Sequence, residues 1–291
     1  MNSLPIVGSS VAQRPRVSSA GAPRRLLTSC SVRARKSTNR GIVLRQTRGR
    51  SDGHNCGYGC RCRATASPAS SSETVSPENT GFIAEMRERS MKLHTKDQSK
   101  EGEQENKAQP FTQWEFSREG FMKFLVESRL VYNTIEEIVN TNDEFAAFRN
   151  SGLERSAALD KDIALVEAEY GVTAPEPAAD GPGNTYSKLF VELATSSPPK
   201  FICHYYNVYL AHTAGGRMIG KKATDKVLEG RFNELAFYKY ESNVKSLVKN
   251  FKLTVNEVSK DWSREQKDEC LEETPKSFQS SGMLVRLLFE S

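Results

Sequence analysis

The chain has 291 residues and a formal net charge of +5, and the charge is divided along its length. Residues 1–72 hold 13 Arg and Lys against one acidic residue, Asp52, whereas the remainder holds 28 basic and 35 acidic residues. No run approaches the ~18 apolar residues of a membrane helix, and the leader lacks the continuous apolar core of a secretory signal.

Residues 1–65 are basic, rich in Ser and Arg, and nearly free of acid, which is the composition of an organelle transit peptide. A nucleic-acid-binding arm fits less well. The basic residues are scattered among Ser, Thr, Gly and Ala rather than interleaved with aromatics. A Ser/Pro/Glu/Thr stretch over 66–80 reads as disordered linker. Residues 81–291 are enough for one domain with a sizeable core. Four cysteines, Cys30, Cys56, Cys60 and Cys62, lie in the leader without paired CxxC zinc spacing. The body keeps only Cys203 and Cys270, which suits a reducing compartment.

In the body, Asn79 or Thr80 is placed to cap a helix running to about residue 100, with Phe82, Ile83, Met86 and Leu93 on its apolar side and His94 near it. Ser117 reads as the N-cap of a long helix through Val139, carrying Phe121, Phe124, Leu125, Tyr132, Ile135 and Ile138. A third helical stretch covers 152–170, and VTAPEPAADGPGN then breaks regular structure. A short helix is expected over 185–194. After Pro199 a glycine-bearing helix runs until Gly230 closes it. Two more are expected, over 233–262 and 263–288, the last with Pro275 inside it and a kink near Leu271. Period-two alternation and hairpin turn pairs are missing, so the class is all-α, built on helix packing.

The glycine-bearing stretch, FICHYYNVYLAHTAGGRMIGKK at 201–222, organises the rest. Gly215 and Gly216 sit mid-helix and Gly220 follows a turn later. Each interior glycine costs about 1 kcal/mol relative to alanine. A helix keeps such a pair where something flat approaches its backbone. Close helix packing or a simple break is the alternative, and the glycines alone favour it.

Tyr206, Ala211, His212, Gly215, Gly216, Met218 and Gly220 resemble the distal helix of haem oxygenases, in the form of the plastid enzymes of plants and algae. MKLHTKDQ-x-KEGE at 91–103 is similar to that family's haem-ligand helix. NSGLER at 150–155, FICHYYN at 201–207 and CLEET at 270–274 also match, and the resemblance spans about 82–289. It implies a single-domain helical fold with haem sandwiched between a proximal and a distal helix. It implies His94 as the axial iron ligand. Gln98, at i+4, would accept the Nδ1–H of His94 and fix its tautomer. Arg87, Tyr206 and the i, i+4 pair Lys245 and Lys249 would anchor the propionates. Read alone, His94 is an ordinary helical histidine and each lysine a solvated one.

His212 stands where animal members carry a distal aspartate. The aspartate's role is not transferred to it, and an outward-facing helical histidine is the alternative. Tyr132 aligns loosely with a distal tyrosine, although a core role suits it better, and His204 carries a weaker signal. Arg217, Lys221, Lys222 and Lys226 form a basic face on an acidic body, suited to an acidic redox partner. The resemblance therefore implies a plastid enzyme that uses ferredoxin and oxygen to convert haem to biliverdin, CO and ferrous iron. It would be a monomer with no nucleic-acid partner and no membrane anchor. A haem-binding protein of the same fold without turnover is the competing reading. A carboxylate-bridged di-iron bundle fails, because Met91, Phe201 and Tyr209 stand where Glu-x-x-His motifs need glutamate.

Overall fold

The computed structural model describes residues 79–95, 102–103 and 114–289. The chain divides into two units, Met1–Pro68 and Ala69–Ser291, and all described residues belong to the second. The expected transit segment, and the linker up to residue 78, lie outside the described residues. Nine α-helices are described, with short 3-10 turns and one π turn between some of them and no β-strand among the described residues.

Helix α1 (Phe82–Leu93) begins at Gly81, which has φ 71° and no side-chain cap of its own. Its cap comes from α7 (Val244–Val258): Ile83 N–H donates to Asn256 Oδ1 at 2.9 Å, and Asn256 Nδ2 donates to Thr80 O at 2.8 Å. Asn79 and Thr80, the expected caps, are thus replaced by a residue far along the chain. The helix also ends earlier than expected. His94 is extended, with ψ 150°, so α1 stops at Leu93 and does not reach residue 100.

Helix α2 (Arg118–Thr141) starts where its cap predicts, with Gly120 N–H donating to Ser117 Oγ at 2.9 Å. It buries Phe121, Leu125, Val131, Ile135 and Val139 along one side. Helices α3 (Ser156–Tyr170) and α4 (Pro182–Ser196) pack against it. Buried Glu127 ties α2 to α4 by accepting Gly183 N–H at 2.6 Å.

The glycine-bearing helix is two helices. Helix α5 (Pro198–Ala211) is buried over most of its length. A π turn, His212–Gly216, then links it to α6 (Arg217–Val227), and Gly230, at φ 81°, closes that run. The next helix does not begin near 233. A 3-10 turn at Arg231–Glu234 and an irregular segment precede α7, whose N-cap is Asn243. The reason is long-range: the Asp162 carboxylate takes the N–H groups of Ala236 and Phe237. The final helix is also divided. Helix α8 (Arg264–Glu272), with a Ser263–Gln266 capping box, ends at Glu273, and α9 (Thr274–Arg286) follows. Pro275 falls in the first turn of α9, where its missing N–H leaves no bond unmade.

Candidate functional site

His94 sits at the C-terminal end of α1, half-buried, with its ring edge-on to Phe278 of α9 at 5.3 Å. Its Nδ1 lies 2.9 Å from Ser90 O. A carbonyl only accepts, so this contact places the proton on Nδ1 and leaves the Nε2 lone pair available to a metal. The Ser90 carbonyl is thus the acceptor for the His94 Nδ1–H among the described residues. Gln98, the acceptor expected at i+4, lies outside the described residues. Ser90 is itself buried and fixed: its hydroxyl donates to Met86 O at 2.8 Å, and Asn207 Oδ1 of α5 is 3.4 Å away.

The π turn carries the second cluster. π turns insert one extra residue into a helix and often mark functional sites. His212 opens the turn and faces inward, contrary to the outward-facing alternative. Its Nε2–H donates to Phe237 O at 3.0 Å, and its ring stacks on Phe237 at 4.0 Å. Burial lowers its pKa to about 3, and the charges of Arg155 and Arg217 act in the same direction. His212 is therefore a neutral imidazole with Nδ1 unprotonated. Tyr132 is a buried core residue whose ring centroid lies 6.0 Å from that of His212.

The three glycines do different things. A Cβ at Gly220 would lie 2.3 Å from the Tyr238 ring, so that glycine serves packing. A Cβ at Gly216 would meet Ala211 O at 3.1 Å and His212 Nδ1 at 3.5 Å. At Gly215 a Cβ would meet nothing within 4 Å, and the residue is exposed. Helix packing therefore accounts for Gly220 but not for Gly215.

The candidate anchors fall into two places. Arg87 is exposed on α1, and its charge acts on the buried Tyr206 phenol of α5. Burial pushes that phenol up to about 12, against the pull of Arg87. Lys245 and Lys249 are exposed near the start of α7, which packs on α1.

Residues 82–286 match the Heme oxygenase family model. The chain belongs to that family. It is 50% identical over 228 residues to "Heme oxygenase 1, chloroplastic" of Oryza sativa subsp. japonica, covering 78% of this chain and 76% of that protein. It is 47% identical over 216 residues to the protein of the same name from Arabidopsis thaliana, covering 72% and 75%. It is also 47% identical over 178 residues to "Probable inactive heme oxygenase 2, chloroplastic" of Oryza sativa subsp. japonica, covering 60% and 52%. The fold matches crystal structures from Synechocystis sp. PCC 6803. Heme oxygenase-2 in complex with heme and NO gives a TM-score of 0.56 at 20% identity, covering 72% of this chain and 85% of that one. Heme oxygenase-1 in complex with heme gives 0.54 at 17% identity, covering 72% and 91%. The names of the chloroplastic relatives place this family member in the plastid.

His204 is a structural bolt in this chain. It is wholly buried, its Nδ1 is 2.8 Å from Tyr186 Oη, and its Nε2 is 3.2 Å from Glu273 Oε1. With the proton on Nε2, Tyr186 donates to the ring and the ring donates to Glu273, so α4, α5 and the α8–α9 break are joined. The basic face of α6 borders an open cleft of about 560 Å³ lined by Arg217, Met218, Lys222 and Phe232, among others. Met218 is 64% exposed there, and Lys221 pairs with Asp225 at 2.8 Å. Among the described residues no helix is long and apolar enough to cross a membrane.

Proposed function

We propose that this chain is an oxidoreductase that opens haem at the α-meso carbon, giving biliverdin IXα, CO and Fe2+ as the first step of bilin synthesis. Oxygen and electrons from reduced ferredoxin drive the reaction. The observation that carries this reading is His94: its Nδ1–H is held by the Ser90 carbonyl, so Nε2 is oriented and unprotonated for iron. The open space at Gly215 fits a flat macrocycle lying against the helix backbone.

When bound, haem supplies both the redox-active iron and the ring that is cleaved. The chain's own residues bind and orient it. His94 would ligate the iron, while Arg87, Tyr206, Lys245 and Lys249 would hold the propionates by charge and hydrogen bonds. The backbone at Gly215 and Gly216 would set how closely the ring approaches. His212, neutral at physiological pH, offers an acceptor beside the turn and does not act as an acid. Arg217, Lys221, Lys222 and Lys226 form the landing zone for the acidic donor. The leader, 1–65, directs the protein to the stroma, where it works as a monomer. Haem binding without turnover is the second reading, and the relatives named probable inactive heme oxygenase 2 give it weight.

The test is anaerobic haem binding followed by reduced ferredoxin and oxygen, with pigment analysis. A histidine-ligated spectrum that gives way to biliverdin is expected. Haem that survives intact favours the second reading. His94→Ala should still bind haem by burial but lose turnover about 10-fold or more, with added imidazole restoring part of it. Unchanged turnover in that variant removes His94 as ligand. Charge reversal at Arg217 and Lys222 should depress ferredoxin-driven turnover more than turnover with ascorbate. Equal losses with both reductants would exclude a docking role.

A further inference from the structure

We propose that Asp162 is a positioning residue: it fixes the backbone of Phe237 so that His212 is held as the Nε2–H tautomer, with Nδ1 presented as a bare acceptor at the π turn. Asp162 lies on α3, 1% exposed. A carboxylate in such a place costs several kcal/mol unless its oxygens are bonded. Both are bonded, and to neighbouring peptides: Oδ1 accepts Ala236 N–H at 2.7 Å, and Oδ2 accepts Phe237 N–H at 2.8 Å. The same Phe237 residue gives its carbonyl to His212 Nε2–H and its ring to the stack. One carboxylate therefore sets the register of the segment that dictates where the His212 proton sits.

The other end of the segment is braced from the same side of the fold. Arg155 donates to the Lys239 carbonyl, and its guanidinium lies 4.1 Å over the Tyr240 ring. Glu136 of α2 accepts the N–H groups of Arg155, at 2.6 Å, and Ser156, at 2.9 Å, which fixes the start of α3. Asn150 and Gly152, at φ 56° and 79°, turn the chain into that position. The NSGLER stretch, matched in sequence but given no role there, is thus the foundation of the clamp. A plain loop clamp would stabilise residues 236–240 without regard to the imidazole. Only the positioning account ties Asp162 to the His212 proton.

The test is long-range 1H–15N NMR on the full chain with 15N-labelled histidine, without haem, over about pH 5 to 8. In the wild type, His212 should carry its proton on Nε2 and not titrate over that range. Asp162→Asn sets an NH2 group against one of the two N–H donors. His212 should then populate both tautomers and titrate between about pH 5 and 7. Leu159→Ala, on the same helix and equally buried, loosens the core without removing a hydrogen bond to the segment and should leave the His212 proton on Nε2. A wild-type proton on Nδ1, or an unchanged His212 signal in Asp162→Asn, overturns the proposal. If Asp162→Asn does not fold, Asp162→Ser, which keeps one acceptor, is read the same way. The consequence for catalysis rests on the proposed distal role of the turn. With haem bound, Asp162→Asn should lower turnover about 10-fold at little-changed haem affinity. Unaltered turnover beside an altered NMR signal supports the clamp and removes the distal role of His212.

Discussion

Arg87 and Tyr206 stand on different helices, yet the charge of one acts on the buried phenol of the other. Such a pair suits a propionate, which needs a cation and a fixed donor together. Losing a charge-assisted hydrogen bond costs about 1.5–3 kcal/mol. That is enough to move an isomer ratio ~10-fold or more. Arg87→Glu, and Lys245→Glu with Lys249→Glu, should therefore yield bilin isomers opened at other meso carbons, resolved by chromatography of the pigments. A purely α product from every variant would mean that these residues do not anchor the ring. At this scale the sequence was informative about residue identity and poor on orientation. The motif around His94 marked the ligand candidate, but its hydrogen-bond partner is the backbone carbonyl of Ser90, and a carbonyl has no signature in sequence. His212 was open to misreading because α-helical periodicity assigns faces. A π turn adds a residue and rotates everything within it.

Between Ala211 and Gly220 the helix is a graded steric experiment. Gly220 is pressed against a buried ring, Gly216 against its own widened turn, and Gly215 against nothing. Helix propensity favours alanine over glycine by up to about 1 kcal/mol where space allows. Overpacking costs about 1–3 kcal/mol. Without haem, Gly215→Ala should be as stable as wild type or up to about 1 kcal/mol more so. Gly220→Ala should lose about 1–3 kcal/mol, with Gly216→Ala between them. With haem the order should change, and Gly215→Ala should show weaker haem binding and less biliverdin despite its stable fold. Melting temperature, haem affinity and pigment yield on these three variants decide it. A Gly215→Ala protein that melts lower without haem would make this glycine structural. Element boundaries were legible where the signal was local, as at Ser117 and Gly230. They were not where a distant group intervened: Asn256 caps α1, and Asp162 takes the donors that would have extended α7 backwards.

At the scale of the whole molecule, the all-α class followed from periodicity alone, but the buried ionisable network that joins the helices did not, because its members are far apart in sequence. His204 bridges α4 and the α8–α9 break, and His212 bridges the π turn and the segment before α7. Burial lowers the pKa of both histidines, and at His204 it outweighs the opposing pull of Glu273. The sign follows directly. On acidification the unfolded chain protonates these histidines near their ordinary pKa of about 6.5, whereas the folded protein leaves them neutral. The stability they contribute is complete above that pH and is lost as the pH falls below it. A histidine with its folded pKa at about 3 removes about 2 kcal/mol between pH 7 and pH 5. Glu273 acts elsewhere. Burial would raise its pKa, but His204 and Lys276 hold it below the ordinary value, so its contribution is lost only in more acidic solution. In the window between pH 7 and 5 the histidines therefore drive the loss, while Asp162, whose pKa burial raises, acts in the opposite sense. Urea unfolding of the haem-free protein should show a loss of about 2 kcal/mol or more across that window. In His212→Gln, which keeps an N–H donor and cannot titrate, the His212 share of about 2 kcal/mol should disappear and the His204 share should remain, whatever the stability of the variant at neutral pH. Equal unfolding free energies at pH 7 and pH 5 in the wild type would mean that the imidazoles are not held neutral, and the arrangement of His212 around the Phe237 carbonyl would fall with them.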